Sequence, residues 1–182
     1  MEKLYLEDLE TGAQYTSIEL EITEADIKRF AGEFDPQPFH LDDAAARQSL
    51  FGGLAASGWH TAALTMRLMA EGGVPLADGI VGLGGEISWP RPTRPGDKLH
   101  VVSTVNEIRH SKSKPGQGVV TVTTDTINQD GELVQRLVAK LVVFTREQSV
   151  AEAARRAEAV RCGQTGPGTS TSPKDLSRYR ST

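Results

Sequence analysis

An α+β domain, in which a curved antiparallel sheet wraps one long buried helix, is the fold class the sequence predicts, on three observations. Residues 58–70 carry Trp59, Ala62, Ala63, Leu64, Met66, Leu68 and Met69, with Arg67 as the only charge. Apolar groups on nearly every face of a helix require other structure around it. From Gly79 onward, four long segments rich in β-branched residues follow: Ile80–Trp89, Lys98–Ile108, Gly118–Asn128 and Leu133–Phe144. The gaps between them are short and marked by Pro90, Pro92 and Pro95-Gly96-Asp97, by Lys114-Pro115-Gly116, and by Asn128-Gln129-Asp130-Gly131. Long strands joined by short connections predict an antiparallel meander.

The remaining elements follow in chain order. A leading strand is expected in Gln14–Leu20, which makes about five strands. Thr23, with Asp26 three positions on, has the spacing of a capping box, and Ile27, Phe30, Ala31 and Phe34 then form one apolar stripe facing the core. Pro36 and Pro38 end that helix, because neither donates a backbone hydrogen bond. A short helix is expected from Asp42, as its cap, to about Gln48. Ser57 caps the buried helix and Gly72-Gly73 end it. The sheet wrapped round that helix is the hot-dog arrangement, assigned to residues 1–146. Residues 147–182 read as a tail: a short Ala-, Arg- and Glu-rich helix, then a Gly/Ser/Thr/Pro-rich stretch with too few apolar groups to offset the entropy of ordering.

The 182 residues suit one domain with an ordinary core, and 38% hydrophobic with 24% charged residues is the balance of a soluble protein. A net charge of −4, with no Lys/Arg block, argues against nucleic acid as a partner. The single cysteine, Cys162, forms no internal disulfide and fits a reducing compartment. The acidic start Met1–Asp8 lacks the apolar run of a signal peptide, and no stretch approaches a membrane span. A cytoplasmic location and no membrane partner are expected.

His40 lies five positions after Asp35 in Asp35-Pro36-Gln37-Pro38-Phe39-His40. Two prolines stiffen the connection, so a carboxylate and an imidazole are held at a reproducible separation, as proton transfer requires. On spacing alone, a turn-forming Asp and a satisfied His account for the pair as well. Gly58 starts the buried helix, whose unpaired N–H groups suit an oxyanion, and it leaves the backbone open to a carbonyl. Tight helix packing is the competing reason for a glycine there. His60 is expected to be a packed, hydrogen-bonded helix residue, and His110 to sit in a solvated hairpin. No Cys/His cluster has zinc-ligand spacing. Gly82-Leu83-Gly84-Gly85 lacks the context of a dinucleotide site and is assigned to close strand approach. Arg91 and Arg94 suit either coenzyme A phosphates or a solvated turn, and Trp59 and Trp89 are assigned to core packing over an acyl pocket.

The run Phe30-Ala31 … Asp35-Pro36-Gln37-Pro38-Phe39-His40, followed by Phe51-Gly52-Gly53 … Ser57-Gly58, resembles the MaoC-like dehydratases, which include the (R)-specific enoyl-CoA hydratases. The match to that family's signature holds at Asp35, Pro38 and His40. It departs at Gln37, where Asn is usual, and at Glu33-Phe34, where Ser-Gly is usual. Trp89–Asp97 and Asn128–Glu132 resemble the family's later strand-turn and hairpin elements. The Gln37 departure is expected to touch loop geometry rather than proton transfer, since Asn and Gln carry the same amide. The resemblance implies a homodimer or larger assembly that hydrates a trans-2-enoyl-CoA reversibly to a (3R)-3-hydroxyacyl-CoA. It implies Asp35 as base toward a water shared with His40, and the Gly58 N–H on the thioester oxygen. It implies no cofactor beyond the coenzyme A of the substrate. A thioesterase on the same fold and a non-catalytic acyl-binding or scaffold protein are the alternatives.

Overall fold

Local capping signals act as read. In a computed structural model that describes residues 2–161, the Thr23 hydroxyl accepts from the Asp26 N–H at 3.1 Å. The Asp26 carboxylate in turn accepts from the Thr23 N–H at 3.2 Å, opening helix α1 (Glu24–Phe34). Ile27 and Ala31 are buried, as the stripe requires. Phe34, expected on the same stripe, is 68% exposed. Ala31 is the last buried residue of the stripe, and the Phe34 ring packs on Phe30, 5.0 Å between centroids. Pro38 does not simply end structure: it occupies the first position of a one-turn helix α2 (Pro38–Leu41), where a missing N–H costs nothing. Asp42 caps α3 (Asp43–Arg47) through the Ala45 N–H at 2.8 Å. Ser57 caps α4 (Gly58–Gly72).

The strands are β1 (Gln14–Thr16), β2 (Leu20–Glu21), β3 (Val81–Ser88), β4 (Lys98–His110), β5 (Gln117–Ile127) and β6 (Leu133–Phe144). All pairings between them are antiparallel, in the order β1-β4-β5-β6-β3, with β2 also on β4. Two expectations change. The leading strand is two short pieces, β1 and β2, both paired to β4, so the sheet has six strands. The meander covers only β4, β5 and β6, because β3 pairs with β6 at the far edge. The segment from Trp89 to Asp97 is therefore a crossover. Its three prolines hold it extended and remove the donors a tight hairpin would use. Bulges at Val105/Glu107 and Gly82/Gly84 bend β4 and β3. At Gly85 a Cβ would stand 2.5 Å from the Val138 carbonyl, so glycine there permits the close β3–β6 approach.

Helix α4 lies on the sheet through Leu68 and Met69, which pack on Leu99 and Val101 of β4 and Val134 of β6. Its enclosure is one-sided: Trp59 is 64% exposed, and Met66 is exposed beside it. The outer edge strand β3 is exposed along most of its length, with Val81 and Leu83 presenting apolar surface. The apolar residues that made α4 read as wholly buried thus include a stripe that one chain leaves uncovered. A second core joins Leu6, Leu9, Val74 and Leu76 to Val105, Val120, Val122 and Leu141 of the sheet.

The chain divides into two compact units, the first ending at Arg146 and the second beginning at Glu147. Helix α5 (Arg146–Arg161), all but its first residue in the second, is rich in alanine and charge. Cys162 and the Gly/Ser/Thr/Pro-rich stretch lie outside the described residues. Among the described residues, no helix is long and apolar enough to cross a membrane.

Candidate active site

Asp35 is the residue on which α1 ends, and His40 sits on the single turn of α2. Between them the Gln37 N–H donates to the Asp35 carbonyl, and the His40 N–H to the Gln37 carbonyl, which folds the proline-braced segment back on itself. The result brings Asp35 Oδ2 within 3.5 Å of His40 Nε2, with both side chains mostly buried. The other ring nitrogen, Nδ1, lies 2.7 Å from the Ala55 carbonyl. A carbonyl only accepts, so Nδ1 carries the hydrogen, and in the neutral ring Nε2 turns its lone pair toward the carboxylate. Two acceptors so placed suit one water that donates to both.

The carboxylate is further held by two neutral donors. Ser57 Oγ–H donates to Oδ2 at 2.6 Å and Gln37 Nε2–H to Oδ1 at 2.8 Å. Burial alone would raise the Asp35 pKa. The bonds from Ser57 and Gln37, with His40 nearby, more than offset it and hold the carboxyl below its ordinary value. Gln37 is therefore bonded to the carboxylate, where only loop geometry had been expected to depend on it. Ser57 has a second task besides capping, invisible in a sequence that separates it from Asp35 by 22 positions. Ser57→Ala removes a hydrogen bond to a charged group and the α4 cap together. Turnover falls about 10- to 100-fold and stability by about 1 kcal/mol. The acid limb of the pH–rate profile moves up toward the ordinary carboxylate value; steady-state kinetics across pH and denaturant unfolding read both.

Gly58 opens α4, where its N–H has no intrahelical acceptor. A Cβ at this position would fall 2.9 Å from Cε2 of Trp89. The packing reason for glycine is thus present in the structure, alongside an N–H with no intrahelical acceptor at the positive end of a 15-residue helix. Asp35, His40, Ser57 and Gly58 line one cavity of about 650 Å³ with Phe39, Phe51, Trp59 and Trp89, a volume in the usual range for a small-molecule site. Both tryptophans face this cavity, edge to face at 5.7 Å, rather than filling the core. The crossover begins at Trp89 and sets its ring against Gly58 at the start of α4, while Trp59 lies on the exposed face of α4.

The two arginines on that crossover separate. Arg91 is exposed and pairs with Glu132 at 3.1 Å. Arg94 turns inward, and its guanidinium donates to the carbonyls of Phe51, Gly53 and Leu54, at 2.7 Å for Gly53 and 3.0 Å for Leu54. It does not sit in a solvated turn: Arg94 clasps the loop that leads into α4 and lines the cavity beside it. Arg94→Ala leaves those carbonyls unpaired and lowers stability by about 2–3 kcal/mol in denaturant unfolding. His60 does not line the cavity. It is packed as expected, stacked on Phe30 at 4.5 Å, but its buried Nδ1 has no partner among the described residues. Burial holds its pKa down.

An α4 helix laid on a six-stranded antiparallel sheet, with the cleft at that helix's N-terminus, defines a hot-dog protein. The chain belongs to the MaoC-like dehydratase family: residues 8–128 match the model of the MaoC like domain. It is similar to the crystal structure of a MaoC-like dehydratase from Rhodospirillum rubrum, with 63% identity and a TM-score of 0.78 over 79% of this chain and 98% of that one. It is similar to an R-hydratase, PhaJ1, from Pseudomonas aeruginosa, at 28% identity and a TM-score of 0.64 over 79% and 88% of the two chains. An uncharacterized protein of Bacillus subtilis, YdeM, is 34% identical over 126 residues, which is 68% of this chain and 87% of that protein.

Proposed function

We propose that this protein is a hydro-lyase that adds water reversibly to a trans-2-enoyl-CoA to give a (3R)-3-hydroxyacyl-CoA. The observation that carries the reading is the pair Asp35 Oδ2 and His40 Nε2, 3.5 Å apart and facing one cavity with the Gly58 N–H. In this reading the thioester oxygen lies on the Gly58 N–H, which withdraws charge from the conjugated system. Asp35 takes a proton from the water held with His40 as the water oxygen bonds to C3. The C2–C3 π electrons shift toward the thioester oxygen, and the Gly58 N–H stabilises that developing negative charge. The proton, passed through Asp35 and His40, ends on C2. The net change is OH on C3 and H on C2, with no cofactor other than the coenzyme A of the substrate.

What supports hydration over thioester hydrolysis is the Asp35-to-His40 spacing with its intervening prolines, which matches the hydratases, and the likeness to the R-hydratase PhaJ1. A homodimer fits the exposed apolar residues of β3 and the Trp59–Met66 face of α4, which a second copy would cover. A reducing, cytoplasmic setting fits a chain with one cysteine. Chiral analysis of the product formed from trans-2-enoyl-CoA, with free thiol followed in parallel, tests the reaction. The 3R alcohol without thiol release is expected. Thiol release without the alcohol would establish the thioesterase in its place.

A further inference from the structure

A chain of polar side chains runs from the cavity into the core, and the reaction proposed above does not use it. The Trp89 indole Nε1–H donates to Gln135 Oε1 at 2.8 Å, and Gln135 Nε2–H donates to Thr65 Oγ1 at 2.8 Å. The hydroxyls of Thr65 and Thr126 meet at 2.6 Å. Gln135, Thr65 and Thr126 come from β6, α4 and β5, are all buried, and the strand pair is in register. A buried amide is unfavourable unless both its ends are paired, and here both are. An apolar side chain of similar volume would fill the same space but leave the Trp89 N–H without this acceptor and Thr65 Oγ1 without this donor. What the amide adds is direction: one fixed acceptor for one indole.

Trp89 is the member of the chain that reaches the cavity. Its Nε1–H is fixed by Gln135, while the ring lies against the Gly58 backbone, where an added Cβ would stand 2.9 Å away, and meets Trp59 edge to face. We propose that Gln135, which does not line the cavity, is a positioning residue for substrate size: it fixes the Trp89 indole as a rigid wall and so limits the acyl group the cavity accepts. This rests on reading the cavity as an acyl-thioester site. Released from Gln135, the indole is free to turn about its two side-chain torsions and admit longer acyl chains.

The test titrates butyryl-CoA and octanoyl-CoA into the full chain by calorimetry, for wild type, Gln135→Leu, Gln135→Glu and Trp89→Phe. Turnover of the matching C4 and C8 trans-2-enoyl-CoAs is measured beside it. Gln135→Leu raises the octanoyl-to-butyryl affinity ratio about tenfold, the scale on which pockets discriminate methylenes. Gln135→Glu keeps an acceptor for the indole and keeps the wild-type ratio. Trp89→Phe shifts the ratio in the same direction as Gln135→Leu and reads the wall even if that variant does not fold. An unchanged ratio in the folded variants that break the bond overturns the proposal, as does an equal shift in Gln135→Glu. A shifted ratio without turnover keeps the wall and removes the hydratase reading. Turnover with an unshifted ratio does the reverse. No binding of either thioester overturns both.

Discussion

Asp35→Asn lowers the hydration rate by about 10³- to 10⁴-fold, toward the upper end of what positioned acid–base groups supply, and leaves the protein folded. The substitution keeps the shape of the side chain and removes its capacity to take a proton. The surroundings accommodate the amide. Its oxygen still accepts from Gln37, and its NH₂ donates to Ser57, whose hydroxyl oxygen has a free lone pair and can rotate. Wild-type kinetics carry a matching signature. The base must be ionised, and Asp35 is held below the ordinary 3.8. Its acid limb therefore lies below that value, and activity is lost only as pH falls through the lowered pKa. Titration of this group leaves the rate flat from mildly acidic to neutral pH. A fall centred above pH 5 that persists in the variant would assign the limb to another group, and one that disappears with Asp35 would contradict its lowered pKa.

His40→Ala has the second largest effect, and unlike the first it carries a structural cost. The imidazole makes two contacts of different kinds: Nε2 toward Asp35, and Nδ1–H to the Ala55 carbonyl. Losing the first lowers turnover by about 10²- to 10³-fold, the range for a general acid–base partner. Losing the second strands a buried carbonyl, for about 1–3 kcal/mol of stability. The ring also packs edge-on against Phe39 at 4.6 Å, so truncation opens space beside the cavity. Denaturant unfolding and steady-state kinetics on one preparation separate the two losses. A variant that keeps near wild-type turnover while losing stability would reduce His40 to a structural role.

The parts legible in the sequence are those whose physics is local. Thr23 with Asp26, Asp42 and Ser57 satisfy N–H groups two or three positions away, and so the starts of α1, α3 and α4 are placed by their caps, whereas α2 has no side-chain cap to mark it. Strands β4 to β6 were readable because short turns join sequential neighbours. The edge position of β3 was not, since its partner lies beyond two intervening strands and nothing near Val81–Ser88 encodes which edge it takes. The misplaced crossover then concealed why Arg94 and Trp89 matter, because their partners Gly53, Gly58 and Gln135 are distant in the chain. Phe34 follows the helical period and is nonetheless exposed at the end of α1, three residues past Ala31, the last buried residue of the stripe. At the site, Asp35 and His40 were visible as a stiff, short spacing. Ser57 gave only the signal of a cap, and Gln37 only that of a substituted amide.

The most direct test of the central claim is the loss of conjugated-enoyl absorbance when crotonyl-CoA and a medium-chain trans-2-enoyl-CoA are mixed with the wild-type protein and, in parallel, with Asp35→Asn. Steady loss of absorbance on at least one substrate is expected with wild type, and about 10³-fold less with the variant. Equal rates for the two proteins would contradict the role of Asp35, and no loss on either substrate would contradict the hydratase reading itself.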